Sequence, residues 1–111
     1  MKDALLISVA VFALILSASA QSAGQFVTIS NFKLWATTYG NNQIRITGVT
    51  IINPGSCADP DSYVVKSSLT LEEKNRIYGM LLAAVTAKKS VEIWVDGCEG
   101  TKPTFHDVLM Q

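Results

Sequence analysis

The segment QFVTISNFKLWATTY, residues 25–39, sets the architecture of the predicted domain. Apolar and polar residues alternate along it, which is the period of a half-buried strand. The parity of the apolar positions changes near Ser30 and Asn31, and this predicts a bulge or a switch of face there. A tight-turn signal, GNN, follows at residues 40–42, since Gly and Asn tolerate a positive φ. Residues 43–52, QIRITGVTII, predict the partner strand of a long hairpin.

Three further strands and one helix are predicted after the hairpin. A short strand covers about residues 63–66, and a helix covers about 70–87, where Thr70 and Glu73 have the spacing of a capping box. The last two strands are predicted at about 90–95 and 105–110. The resulting order, β-β-β-α-β-β, predicts a mainly β domain with one helix. A long bent hairpin and a helix between strands three and four favour a five-stranded barrel of the oligonucleotide/oligosaccharide-binding (OB) type, plugged by its helix.

The predicted helix carries an apolar stripe at helical spacing, which we expect to face the barrel. The stripe consists of Leu71, Ile77, Tyr78, Leu81, Ala84 and Val85. Gly79 interrupts the helix at a cost of about 1 kcal/mol relative to alanine. We therefore expect a close packing contact at Gly79.

The N-terminal segment has the pattern of a secretory signal peptide. An apolar run, residues 4–16, is followed by the small residues of Ala18-Ser19-Ala20. We expect cleavage after Ala20, which leaves residues 21–111 as one domain in a secreted or periplasmic location. The alternative is a retained N-terminal anchor.

The two cysteines, Cys57 and Cys98, both lie in the predicted mature chain. Export would place them in an oxidising compartment, where an even pair usually forms a disulfide. The alternatives are two free thiols or a metal site. Two cysteines with a single histidine, His106, make a poor set of metal ligands.

Charge and composition argue against several classes of function. Nine basic and nine acidic side chains give a net charge of zero, so the basic field that a nucleic-acid partner requires is missing. His106 is the only imidazole, and no serine or cysteine nucleophile motif accompanies it. Asp59 and Asp61 supply at most half of a cation site. We therefore expect no enzymatic activity, no cofactor and no bound metal.

Aromatic and amide side chains gather around the first predicted turn, and this pattern suits sugar binding. Aromatic faces stack on the apolar C–H faces of sugar rings, and neighbouring polar groups then bind the hydroxyls. The candidate ligand-binding residues are Trp35, Tyr39, Asn41, Asn42 and Arg45. The alternative is that Trp35 and Trp94 only cover the barrel or a subunit contact.

Two segments of the chain resemble the B subunits of pentameric bacterial toxins, of the subtilase-cytotoxin and pertussis-like type. FVTISNF, residues 26–32, resembles their first strand, and IYGMLLAAVTAKKSVEIWV, residues 77–95, resembles their helix, turn and next strand. The likeness covers most of residues 25–110. No sugar-contact motif of that family matches residue by residue, so none is transferred.

The resemblance implies a ring, in which barrels join by strand pairing at exposed edges. It also implies a glycan ligand and a toxin catalytic subunit as partners. The leading hypothesis is therefore an exported OB-fold binding module that forms a pentamer and binds cell-surface glycans. The alternative is a monomeric periplasmic structural or protein-binding domain, of the inhibitor type, that binds no glycan.

Overall fold

A computed structural model describes residues 24–38 and 43–111 of the chain. The predicted signal peptide, residues 1–20, lies outside the described residues, as do three candidate binding residues, Tyr39, Asn41 and Asn42. The described part contains six strands and one helix. They are β1 (Gln25–Ile29), β2 (Lys33–Ala36), β3 (Ile44–Thr47), β4 (Tyr63–Val65), α1 (Leu71–Ala87), β5 (Val91–Glu99) and β6 (Lys102–Met110).

All six strands form one mixed sheet, in the order β1-β5-β6-β4-β3-β2. β4 and β6 are parallel, and the other neighbouring pairs are antiparallel. The prediction of a mainly β domain with one helix is confirmed. The prediction of a five-stranded closed barrel is wrong, because the sheet is open and has six strands.

The extra strand arises where the sequence pattern changes parity. The predicted first strand ends at Ile29 and resumes at Lys33, and Asn31 between them has a φ of 52°. This left-handed conformation interrupts an extended chain. The two halves then pair with different partners, β1 with β5 and β2 with β3.

The interruption also bends the sheet. β1 and β2 are the two outer strands, yet only residues 30–32 separate them. A flat sheet of six strands would place its edges about 24 Å apart. Four residue steps from Ile29 to Lys33 span at most about 14 Å. The sheet must therefore curl until its two edges approach each other.

The predicted hairpin is present but shorter than expected. β2 and β3 pair with Lys33 opposite Thr47 and Trp35 opposite Arg45. β3 ends at Thr47 because Gly48 adopts a φ of 79°, which favours glycine. The strand predicted over 43–52 is therefore wrong beyond residue 47.

Helix α1 starts as the sequence predicts. Thr70 Oγ1 accepts a hydrogen bond from the Glu73 amide at 3.1 Å, and Glu73 Oε1 accepts one from the Thr70 amide at 2.9 Å. Both bonds satisfy amides that have no partner within the helix. The helix ends at Lys88, whose φ of 55° closes it.

The buried face of α1 is narrower than the predicted stripe. Leu81 and Ala84 are buried and belong to the core, whereas Leu71 and Val85 are exposed. The expected close contact at Gly79 is also wrong, since a Cβ atom there would meet no other described part of the chain within 4 Å.

The core lies inside the curled sheet, between its strands and α1. Its members are buried hydrophobic side chains: Val27, Ile29, Phe32, Ile44, Ile46, Tyr63, Val65, Leu81, Ala84, Val91, Ile93, Val95 and Phe105. Every strand but β2 contributes at least one of them. Burial of this apolar surface is the main stabilising contribution.

The predicted disulfide is present and joins Cys57 to Cys98. It ties the loop before β4 to the far end of β5. Asn53 supports the same loop, because its side chain accepts from the Cys57 amide at 2.8 Å and donates to the Cys57 carbonyl at 3.0 Å.

Candidate functional site

A row of four paired residues crosses the sheet on the face opposite the core. Trp35 pairs with Arg45, Arg45 with Val64, and Val64 with Thr104. Val64 lies between Tyr63 and Val65, which both belong to the core, and side chains alternate between the faces of a strand. We call these four residues the outer-face row.

Trp35 and Arg45 form the exposed end of the outer-face row. The Trp35 side chain is 51% exposed, and the guanidinium carbon of Arg45 lies 5.4 Å from its ring centroid. This distance is within the range of a cation–π interaction. Arg45 Nη2 also donates to Gln43 Oε1 at 3.2 Å, which fixes the plane of the guanidinium group. The result is a supported aromatic platform with polar groups beside it.

Two polar atoms along the outer-face row have no hydrogen-bond partner among the described residues. Arg45 Nε and Thr104 Oγ1 are both shielded from solvent and have no hydrogen-bond partner among the described residues. Thr104 is only 4% exposed. Buried polar atoms are usually paired with protein or with ordered water. We therefore expect ordered water to satisfy these two atoms.

A charged cluster borders the outer-face row where β6 begins. Lys102 Nζ lies 2.6 Å from Asp59 Oδ2 and 2.8 Å from Asp61 Oδ1. The Lys102 hydrogen bond lowers the pKa of the Asp61 carboxyl, and the charge of Arg45 lowers it further. In turn, the two carboxylates raise the pKa of Lys102, Asp59 most strongly. The cluster holds the loop of residues 57–62 against β6.

The structure brings two of the five predicted binding residues together. Trp35 and Arg45 are in contact, while Tyr39, Asn41 and Asn42 lie outside the described residues, so their part of the prediction stays open. Gln43 was missed, although its place two residues before Arg45 on the same strand face gives a usable signal. Thr104 was also missed.

The second tryptophan of the prediction, Trp94, packs on the other half of the sheet. Its ring meets that of Phe26 edge to face, with centroids 4.9 Å apart. Phe26 is 50% exposed, which nearly equals the exposure of Trp35. The alternative role for the two tryptophans was to cover the sheet. Trp94 fits this role through its contact with Phe26.

His106 lies near two carboxylates without a direct hydrogen bond to either. His106 Nδ1 is 3.7 Å from Asp96 Oδ1, and Nε2 is 3.7 Å from Asp107 Oδ2. Both distances exceed those of a hydrogen bond. Among the described residues, no group of three or more His, Cys, Asp or Glu side chains is arranged to hold a metal ion.

Comparison with known proteins finds no matching family model, no similar curated protein and no similar solved structure. The likeness to toxin B subunits therefore stays a hypothesis from two segments of sequence. Within residues 24–38 and 43–111, no helix has the length and hydropathy needed to cross a membrane.

Proposed function

We propose that the protein is an exported binding module that recognises cell-surface glycans. The observation that carries this proposal is the contact between Trp35 and Arg45. A half-exposed indole with a guanidinium group 5.4 Å from its centroid offers a flat apolar surface with hydrogen-bond donors beside it. Sugar rings combine an apolar C–H face with peripheral hydroxyls, so they are complementary to such a surface.

The side chains beside Trp35 favour a sugar over a flat apolar ligand. Gln43 and Arg45 provide amide and guanidinium groups, which bind hydroxyls in fixed directions. Export is part of the proposal, and the disulfide Cys57–Cys98 supports it, since such bonds persist in oxidising compartments.

An OB-type architecture and assembly into a pentameric ring complete the proposal. β1 and β2 stand at the two ends of the strand order and can be counted as one interrupted strand. The sheet then has five strands, and its order begins and ends with the same strand. This order favours an open form of the OB topology. Among the described strands, β1 and β2 each have one side without a strand partner, and such edges are suited to pairing between subunits. A toxin catalytic subunit is the partner that the sequence resemblance adds.

A glycan array tests the ligand directly. We expect sugar-selective binding by the exported protein, and we expect Trp35→Ala to weaken it by at least about tenfold, because it removes the stacking surface. Phe26→Ala is the matched control, since Phe26 is equally exposed on the other half of the sheet. The control should bind as the unmodified protein does. Equal losses in both variants, or no binding to any glycan, would contradict the proposal.

The second candidate is a monomeric domain that binds another protein. The exposed apolar residues Leu82, Val85 and Leu109 support it, because exposed apolar side chains are suited to contact with another protein. Light scattering separates the two candidates. Several protomers per particle would support the ring, and a monomer that binds no glycan would support the second candidate.

A further inference from the structure

The last strand, β6, is only partly covered by its neighbour β4. β4 has three residues and pairs with β6 at Thr104 and Phe105, whereas β6 continues to Met110. Beyond Phe105, β6 pairs with β5 alone among the described strands. We call residues 106–110, on the side of β6 where β4 ends, the open edge. It is separate from the edges of β1 and β2, which stand at the two ends of the strand order.

A β-bulge at His106 marks the start of the open edge. Trp94 of β5 pairs with Asp107, but the next residue of β5, Val95, pairs with Phe105, so His106 is an extra residue in β6. A bulge bends its strand and increases the local twist. β6 therefore changes direction at the point where its pairing with β4 stops.

Main-chain groups of the open edge point away from β5. The Gln111 amide donates a hydrogen bond to the Ser90 carbonyl at 3.4 Å, so these two residues form a hydrogen-bonded pair. Hydrogen-bonded and non-hydrogen-bonded pairs alternate along an antiparallel ladder. The amides and carbonyls of Val108 and Met110 therefore face the open side. Each of these two residues has one main-chain donor and one acceptor for an added strand.

A cleft of about 360 Å³ lies beside the open edge, between β6 and α1. Leu69, which follows β4 in the chain, also lines it, so the cleft is on the side where β4 ends. Half of the residues that line the cleft are apolar, namely Leu69, Ile77, Met80 and Val108. The volume is within the range of ligand pockets and leaves room for a large apolar side chain.

The charged groups around the cleft are more negative than positive when His106, which also lines it, is neutral. Glu73 and Asp107 contribute carboxylates, whereas Arg76 contributes the one guanidinium group among the described residues that line the cleft. The hydrogen bond from the Thr70 amide lowers the pKa of Glu73, so this carboxylate stays ionised. The Asp107 side chain is 65% exposed and accessible to a partner. A basic side chain is therefore complementary to this side of the cleft.

We propose that the open edge and the cleft bind an extended peptide that has a large apolar residue next to a basic residue. The peptide would continue the sheet beyond β4 and bond to the main-chain groups of Val108 and Met110. Side chains alternate along a strand, so the apolar residue would enter the cleft while the basic residue would face out, as Asp107 does. Burial of the apolar side chain adds to the affinity. This site requires neither a glycan ligand nor a ring.

The test compares three peptides in NMR titrations of the exported protein. The first is a heptapeptide with blocked ends and alternating lysine and leucine residues. The second is the same peptide N-methylated at its main-chain amides, and the third has glutamate in place of lysine. We expect the first peptide to bind most tightly and to shift the amides of residues 76–80 and 106–110.

Three results of these titrations would overturn the proposal. The first is equal affinity for the N-methylated or the acidic peptide, since strand addition requires the main-chain donors and the charges require the lysines. The second is a set of shifts centred on Trp35. The third is a concentration-dependent shift of residues 106–110 without any peptide, because it would assign the open edge to a second copy of the chain.

A proline variant tests the main-chain contacts of the open edge. Met110→Pro removes an amide that faces the open side, and proline is tolerated in a strand where its missing donor is not part of the ladder. We expect it to weaken binding of the lysine–leucine peptide by about tenfold or more. Met110→Ala, which keeps the amide, is the matched control and should weaken binding much less.

A pair of variants on α1 tests the cleft if Met110→Pro fails to fold. Met80 lines the cleft and Leu82 does not, and both side chains are exposed. Met80→Asn should weaken binding of the lysine–leucine peptide severalfold, because it removes apolar surface from the cleft. Leu82→Asn, which places the same residue in the same helix, should leave it unchanged. Unchanged affinity in both Met110→Pro and Met80→Asn would overturn the proposal.

Discussion

Tyr63 connects the core to the loop that follows β3. Its ring is fully buried, and its hydroxyl accepts a hydrogen bond from the Ile52 amide at 2.8 Å. Burial raises the pKa of the Tyr63 phenol above its ordinary value, because the charged phenolate is poorly solvated there. One side chain therefore contributes both apolar packing and the anchor of a loop.

Replacing Tyr63 by phenylalanine should separate these two contributions. Tyr63→Phe keeps the ring but leaves the Ile52 amide without its acceptor, and we expect a loss of about 1 kcal/mol in the free energy of unfolding. Tyr78→Phe, on the partly exposed face of α1, is the control and should change stability by less than about 0.5 kcal/mol. Urea denaturation measures both. Equal effects would mean that the Tyr63 hydroxyl does not anchor the loop.

The unmodified protein and Tyr63→Phe should differ in how their stability depends on alkaline pH. Because the folded state raises the pKa of Tyr63, the stability from its protonated form is complete below pH 10 and falls as the pH rises through the raised value. The unmodified protein should therefore lose stability above pH 10 more steeply than Tyr63→Phe. Parallel stability curves for the two proteins would contradict the burial of the phenol.

For single residues, the sequence predicts contacts that follow from alternation along neighbouring strands. It does not predict contacts that depend on pairing between distant strands. Trp35 and Arg45 share a face because they are directly opposite each other in one hairpin, so their contact follows from the pattern. Thr104 joins the same row only through the parallel pair with Val64, forty residues earlier in the chain. No feature near Thr104 in the sequence indicates that neighbour.

Helix α1 contributes to the core through a narrow strip. Its contacts with the sheet are mainly with β6 and β2, which lie at different places around the curl. Leu81 is completely buried, whereas the next residue, Leu82, is 46% exposed. Two adjacent leucines with the same helix propensity thus occupy opposite environments.

This contrast provides a matched test of how the helix packs. Leu81→Ala should lower the free energy of unfolding by about 2–5 kcal/mol, since it leaves a cavity in the core. Leu82→Ala should change it by less than about 0.5 kcal/mol. Thermal and urea denaturation measure the two variants side by side. A larger loss for Leu82→Ala would show that α1 packs with a different face, or that Leu82 is buried in an oligomer.

The start of α1 is predictable from the sequence because its signal is local. The buried face of α1 is harder to predict. The capping box of Thr70 and Glu73 lies within four residues, and the structure contains both of its hydrogen bonds. The apolar stripe predicts burial of Leu71 and Val85, yet both are exposed. The apolar stripe shows which residues of α1 can be buried. How many of them are buried depends on how much of the helix the curled sheet covers.

The curled sheet as a whole depends on pairings between distant segments. β1 pairs with β5, which begins more than sixty residues later, and β4 pairs in parallel with β6. Periodicity predicts the strands but does not say which distant strands are neighbours. The division of the first strand at Asn31 was visible in the sequence as a change of parity, while its consequence, a six-stranded open sheet, required these pairings.

The disulfide is the covalent link across this arrangement. Cys57 and Cys98 are 41 positions apart, and the closed loop contains β4, α1 and most of β5. Lys102 holds the same loop through Asp59 and Asp61, but the carboxylates of that cluster are largely exposed. Exposed ion pairs contribute little to stability, so the disulfide should dominate.

Removing the disulfide should therefore destabilise the whole domain. In the chain-entropy model, closing a loop of this length lowers the entropy of the unfolded chain enough to stabilise the fold by about 4 kcal/mol. We expect the double variant Cys57→Ala/Cys98→Ala to lose a large part of this amount in urea denaturation, because the unfolded chain gains freedom while the core is unchanged. Lys102→Met, which releases the same loop without opening the covalent ring, should have a much smaller effect. Intact mass after alkylation without reductant must first show that the unmodified protein has no free thiol. If the two variants lose equal stability, the loop is held by its charges, and the disulfide is not the main constraint on the unfolded chain.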